Sequence, residues 1–185
     1  MSNSEPNQKK LSKDVIRSEN GFKTERLSVS TAELWSETAV HSKLLDSVLC
    51  LLTPAVVKSL PGNFQGITSL TSAENWLKTM MAESQLFVVQ LSNSDNIVGF
   101  IFLYDGEDGT AHVGYLLGES YWGRGLATEL MTGFVSWCTD YTESKQLIAG
   151  VEQDNQASVG LLVKLGFTLS EQCGDVDFYH YFLNS

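Results

Sequence analysis

The chain has 185 residues, is 43% apolar and 10% aromatic, and carries 22 acidic against 12 basic side chains, a net charge of −10. That length suits one domain with at most a tail, and the apolar share is ample for a core, which excludes global disorder. No apolar run approaches the ~20 residues that a helix needs to span a bilayer.

The first 22 residues are rich in Ser, Asn, Lys and Glu without periodicity. They read as a flexible polar tail ahead of one domain over 23–185, with Val15 and Ile16 as local packing residues. The segment lacks the apolar stretch of a secretory signal. Cys50, Cys138 and Cys173 are odd in number, widely spaced and form no CxxC, so reduced and mostly buried thiols in a cytoplasmic protein are expected, with no metal. Residues 1–26 hold six bases and four acids; the remainder holds six bases and eighteen acids, a net of −12. A body this acidic repels nucleic-acid phosphates and favours cationic partners such as amines, polyamines or basic peptides.

Arg26 to Ser30 predicts a short strand, and Thr31 an N-cap for a helix through Leu34, Trp35, Ala39, Leu44, Val48 and Leu52. Thr53-Pro54 restarts a turn of helix with Pro at its first position. A loop runs from Pro61-Gly62 to about Leu70, and Thr71 with Glu74 predicts a capping box for a helix carrying Trp76, Leu77, Met80 and Met81. Leu86–Leu91 and Ile97–Tyr104 predict a hairpin around Asn93-Ser94-Asp95-Asn96. His112–Leu117 follows as a third strand after the turn at 105–109. Leu126, Leu130, Phe134 and Cys138 then repeat at helical spacing. Leu147–Val151 predicts a strand, Ala157–Leu165 a helix stopped by Gly166, and Phe167–Leu169 and Val176–Leu183 two closing strands. The order describes a mixed α/β sheet.

The most informative stretch is Tyr115-Leu116-Leu117-Gly118-Glu119-Ser120-Tyr121-Trp122-Gly123-Arg124-Gly125-Leu126-Ala127-Thr128. It is a strand, a loop, and small residues at alternate positions where a helix opens. Gly123, Gly125 and Ala127 let a ligand approach the backbone, whose free N–H groups favour a phosphate or pyrophosphate. Arg124 adds one charge. A Walker A loop is rejected because Arg124-Gly125 stands where Lys-Ser/Thr is required, and a Rossmann GxGxxG because Thr128 replaces the third glycine. For GxG alone, an ordinary strand-to-helix turn remains the alternative.

Around that loop the chain resembles the GNAT superfamily of acyl-CoA-dependent N-acetyltransferases, whose signature is [QR]xxGx[GA]. Gly125 and Ala127 match it, with Trp122 at the first position. Tyr121-Trp122, Thr128-Glu129, Thr24-Glu25-Arg26-Leu27 and His112–Leu117 are similar to the ribosomal-protein alanine N-acetyltransferase branch. Asn155-Gln156-Ala157-Ser158 through Lys164-Leu165-Gly166-Phe167 is similar to the family's NxxS…KLGF segment. The resemblance covers most of residues 24–183. It implies an α/β (α+β) fold with a mixed, mostly antiparallel sheet flanked by helices and splayed at the acetyl-CoA site. It also implies that Gly123, Arg124, Gly125, Leu126, Ala127 and Thr128 hold the CoA pyrophosphate. Tyr115, Leu116 and Leu117 would run along the pantetheine, a backbone N–H there would polarise the thioester carbonyl, and Asn155 would cap the last helix and reach the cofactor.

The implied activity is direct acetyl transfer from acetyl-CoA to a primary amine. The resemblance leaves the acceptor open between a protein N-terminus and a small amine or polyamine. An α-amino group titrates near ~8 and a lysine near ~10.4, so a neutral lysine amine costs roughly 3.5 kcal/mol more at pH 7. The family's tyrosine acid and glutamate base are replaced here by Leu162 and Gly150, which motivates a non-catalytic acyl-CoA-binding module as the competing hypothesis. Ser158 is the branch's candidate for protonating or orienting the sulfur, and His112 is an independent candidate base because imidazole titrates near neutrality. Glu119 and Glu152 are candidates to hold water or the ammonium. Trp35, Phe64 and Trp76 are candidates to line the acceptor cleft. A homodimer is left open.

Overall fold

The structure, a computed structural model, describes residues 17–35 and 38–183. Its strands are β1 (Arg17–Ser18), β2 (Gly21–Lys23), β3 (Leu27–Thr31), β4 (Gln85–Leu91), β5 (Ile97–Asp105), β6 (Thr110–Leu117), β7 (Gln146–Glu152), β8 (Thr168–Cys173) and β9 (Val176–Phe182). Its α-helices are α1 (Thr38–Leu51), α2 (Pro54–Val57), α3 (Leu70–Glu83), α4 (Leu126–Tyr141) and α5 (Gln156–Lys164). The strands form one sheet in the order β1-β2-β3-β4-β5-β6-β7-β9-β8. Every neighbouring pair is antiparallel except β6 with β7. This is the mixed, mostly antiparallel sheet that the sequence implies.

The central strands are apolar on both faces because helices cover both. Phe87, Ile101, Leu130, Phe134, Trp137 and Leu162 form one core with α4 and α5. Trp76, Leu77, Phe100, Phe102 and Leu44 form the other with α1 and α3. Among the described residues no helix is long and apolar enough to cross a membrane.

Local chemistry moved several expected boundaries. Residues 17–23 form the hairpin β1–β2, so strand pairing begins ahead of the expected domain start at 23; residues 1–16, with Val15 and Ile16, lie outside the described residues. Thr31 ends β3 instead of capping a continuous helix: Ala32–Trp35 is a 3-10 turn and α1 starts at Thr38. The capping box of α3 is Ser69 with Ser72, not Thr71 with Glu74. Ser72 N–H donates to Ser69 Oγ at 3.2 Å and Ser69 N–H to Ser72 Oγ at 2.9 Å. Glu74 instead pairs with Lys78 one turn on, at 2.9 Å. Strand β8 runs on to Cys173, an exposed edge without the alternation that would have marked it. Cys138 is buried, and burial pushes its thiol pKa well up, but Cys50 and Cys173 are exposed, against the expectation of mostly buried thiols.

Candidate active site

Strand β6 is bonded along its length to β5, from Asp105↔Ala111 to Gly99↔Leu117. Its parallel pairing with β7 covers only Thr110–His112. From Val113 onward the two strands diverge, leaving one edge of β6 facing a gap. Gly99 permits this packing: a Cβ there would sit 2.1 Å from the Leu116 carbonyl oxygen. Glycine is required where backbones come this close.

After β6 a 3-10 turn, Glu119–Tyr121, leads to the glycine loop. Gly123 and Gly125 have φ of 67° and 73°, left-handed values that favour glycine. Gly125 is the N-cap of α4 and has no side chain to satisfy the first N–H groups of the helix, so these remain for a ligand. The Trp122 indole N–H donates to the Leu117 carbonyl at 2.7 Å, tying the loop to the end of β6.

The gap and the loop share a cavity of about 670 Å³. Tyr115, Leu116, Leu117, Gly123, Gly125, Leu126, Ala127, Thr128, Asn155 and Ser158 are brought together in its lining. Two expected residues do not. Arg124 presents its guanidinium 5.9 Å from the Tyr121 ring instead. His112 sits exposed on β6, paired with Tyr104 and Ile148, in the stretch where β6 is still bonded to β7.

Asn155 caps α5, its Oδ1 accepting from the Ser158 N–H at 3.2 Å. Its side-chain NH₂ is left as a donor. The Tyr115 hydroxyl donates to Ser158 Oγ at 3.2 Å, joining β6 to α5 across the splay. Burial pushes the Tyr115 phenol pKa up, with the Ser158 bond acting weakly the other way, so the phenol stays protonated across the neutral range. With Tyr115 as donor, the Ser158 hydroxyl keeps its own proton for a second acceptor.

Sequence reasoning missed three contributors. The Tyr115 hydroxyl was hidden because strand spacing does not tell which helix a side chain will meet. Lys58, after α2, and Lys164, at the end of α5, both line the cavity. The signal available for them was scarcity: only six bases follow Arg26, and these two of the six line the cavity. Leu162, where the family's tyrosine would stand, is fully buried in the core. A Cβ on Gly150 would meet the Phe178 ring at 3.1 Å, leaving little room for a longer side chain. Trp35, Phe64 and Trp76 are buried core residues, with Phe64 and Trp76 packed edge to face at 5.7 Å. Glu119 is exposed beside a separate surface depression, Glu152 is half-buried on β7, and His180 bonds Thr168 at 2.9 Å. Among the described residues no cluster of His, Cys, Asp or Glu is arranged for a metal.

A sheet that parts beside a glycine-rich helix N-terminus makes a slot able to take an extended ligand with a phosphate group at one end. Residues 39–168 match the family described as acetyltransferase (GNAT) domain, and the chain belongs to that family. An uncharacterized N-acetyltransferase, p20, of Bacillus licheniformis is 28% identical over 153 residues, 78% of this chain and 80% of that protein. A GNAT-family acetyltransferase from Bacillus anthracis superposes with a TM-score of 0.70 at 19% identity, covering 86% of this chain and 96% of its own. RimL, a ribosomal L7/L12 alpha-N-protein acetyltransferase in complex with coenzyme A, gives a TM-score of 0.70 at 18% identity with the same two coverages. The present chain is thus an N-acetyltransferase that uses acetyl-CoA as co-substrate and an amine as acceptor.

Proposed function

We propose that the acceptor is the α-amino group of a polypeptide N-terminus, acetylated in the cytoplasm, and that Tyr115 and Ser158 carry the proton to the departing sulfur. The observation that carries this reading is the makeup of the cavity wall. Among the described residues lining it there is no His or Glu, and its one carboxylate, Asp154, is exposed. Such a wall offers little to deprotonate a lysine, whereas an α-amine supplies its neutral form at far lower cost.

On this reading the amides at Gly125–Thr128 hold the diphosphate and the unpaired edge of β6 bonds the pantetheine. A β6 amide stabilises the developing oxyanion. The amine nitrogen forms its bond to the carbonyl carbon and the C–S bond breaks. Ser158 gives its proton to sulfur and takes one from Tyr115, and the proton that the amine loses restores Tyr115, so the relay ends as it began. A cationic acceptor is also favoured by the acidic body.

The test is release of CoA with three acceptors at pH 7: a peptide whose only amine is its N-terminus, an N-acetylated peptide with one lysine, and spermidine. The first is expected to exceed the other two in kcat/KM by at least about tenfold. Preferential turnover of the lysine peptide or of spermidine would overturn the reading of the acceptor.

A further inference from the structure

The turn between β2 and β3 reaches the cofactor loop from the far end of the sheet. The Arg26 guanidinium donates through Nη1 to the carbonyl of Arg124 at 2.9 Å and through Nε to Glu129 Oε2 at 2.6 Å. Glu129 Oε1 accepts from the Arg26 backbone N–H at 2.7 Å and from the Thr24 hydroxyl at 2.6 Å. Thr24 in turn accepts from the Leu27 N–H at 3.1 Å. These contacts use Thr24, Arg26 and Leu27 of the Thr24-Glu25-Arg26-Leu27 quartet, which no step of the proposed chemistry uses. We infer that Arg26 is a positioning residue for the cofactor: by holding the Arg124 carbonyl it aims the Gly125 amide at the diphosphate of acetyl-CoA. The inference rests on the reading of this loop as the diphosphate cradle.

In a trans peptide the C=O and the following N–H point in opposite directions, and the chain has no cis peptide bond among the described residues. A carbonyl of Arg124 turned to Arg26 therefore turns the Gly125 N–H the other way, and Gly125 lines the cavity. Gly125 forms one side of this peptide and Gly123 precedes Arg124, and their freedom would otherwise let the peptide rotate. Electrostatics adds to this. Glu129 stands in the first turn of α4, where an unpaired carboxylate would repel an incoming diphosphate; Arg26 neutralises it. Arg26 reaches this position because α4 is bare at Gly133, where a Cβ would lie 2.7 Å from the Phe22 ring and 2.9 Å from the Thr24 methyl. The Arg26 side chain is 46% exposed, so its half of the ion pair adds little to folding, which separates its effect on the loop from an effect on the fold.

Arg26→Gln, Arg26→Lys and the wild type are compared by calorimetric titration of acetyl-CoA, by kinetics with acetyl-CoA, and by kinetics with S-acetylpantetheine, which lacks the diphosphate. Arg26→Gln is expected to weaken acetyl-CoA binding and raise its KM by about tenfold, with kcat at saturation and turnover of S-acetylpantetheine unchanged. Arg26→Lys keeps the charge without the fork, and is expected to recover only part of the affinity. Wild-type affinity in Arg26→Gln, or an equal loss with both acyl donors, would overturn the inference. A wild type that does not bind acetyl-CoA would instead overturn the reading of the loop, and this inference with it.

Discussion

Tyr115 shows what one hydroxyl changes when it is placed by the fold. From the chain alone it is a strand residue beside the pantetheine; in three dimensions its hydroxyl meets Ser158, 43 positions later, at 3.2 Å. The partner was illegible because strand alternation assigns a face, whereas α5 reaches that face only through the β7–α5 crossover. Asn155 was legible because an N-cap is local: its bond to the Ser158 N–H is three residues long. On the proposed mechanism Ser158→Ala lowers kcat by about 10²-fold, and Tyr115→Phe, acting through Ser158, lowers it less. Neither moves the KM for acetyl-CoA by more than about twofold, since the diphosphate cradle is untouched. Steady-state kinetics checks this, and an unchanged kcat in Ser158→Ala would remove the relay.

At the scale of elements, the glycine loop and the helix after it were read correctly because φ-positive turns and 3.6-residue stripes leave strong local signals. The α3 start was misread by two positions because Ser69/Ser72 and Thr71/Glu74 offer similar caps, and a sequence does not say which of the two the helix will use. Hairpin β1–β2 and edge strand β8 were missed or shortened for a different reason. Two- and three-residue strands, and a wholly exposed one, bury too little to show a period. Two predictions belong here. Gly99→Ala pushes a Cβ into the Leu116 carbonyl, and is expected to cost about 2 kcal/mol of stability and to weaken acetyl-CoA binding, as read by thermal melting and titration.

The second concerns Glu129. Its partial burial alone would raise its pKa, but bonds from Thr24 and from the Arg26 backbone and guanidinium outweigh that and hold it below the usual carboxylate range. A depressed carboxylate contributes stability that is present above the unfolded value of ~4.3 and is lost as pH falls through the native value. Glu129→Gln is therefore expected to be less stable than wild type at pH 7 and to lose less on acidification below about pH 4. Parallel pH-dependent melting curves for the two would contradict this.

Across the whole molecule the N-terminal hairpin runs along α4 as a strap. Arg17 pairs with Asp140. The Trp137 indole N–H donates to the Ser18 carbonyl at 2.8 Å. Phe22 packs on Phe134 at 6.3 Å, and Arg26 closes on the loop at the start of α4. The sheet thus couples its first strands to the cofactor loop, a relation between residues some hundred positions apart that no local pattern carries. Charge is arranged on the same scale: Lys58 and Lys164 stand at the cavity of a body with a net charge of −12 after Arg26. The KM for a lysine-rich peptide with a free N-terminus is expected to rise with ionic strength, and that for an uncharged peptide to change little.

The account turns on acetyl-CoA occupying the cavity at the start of α4. The most direct test is the melting temperature of the wild type and of Gly125→Glu, each with and without acetyl-CoA at about 100 times its Kd. Glutamate at φ 73° strains the cap and places a carboxylate where the diphosphate would lie. The wild type is expected to gain roughly 2.7 kcal/mol, a rise of about 5–10 °C, and Gly125→Glu to gain nothing. An equal rise in both proteins would place the cofactor elsewhere, and no rise in either would contradict the site altogether.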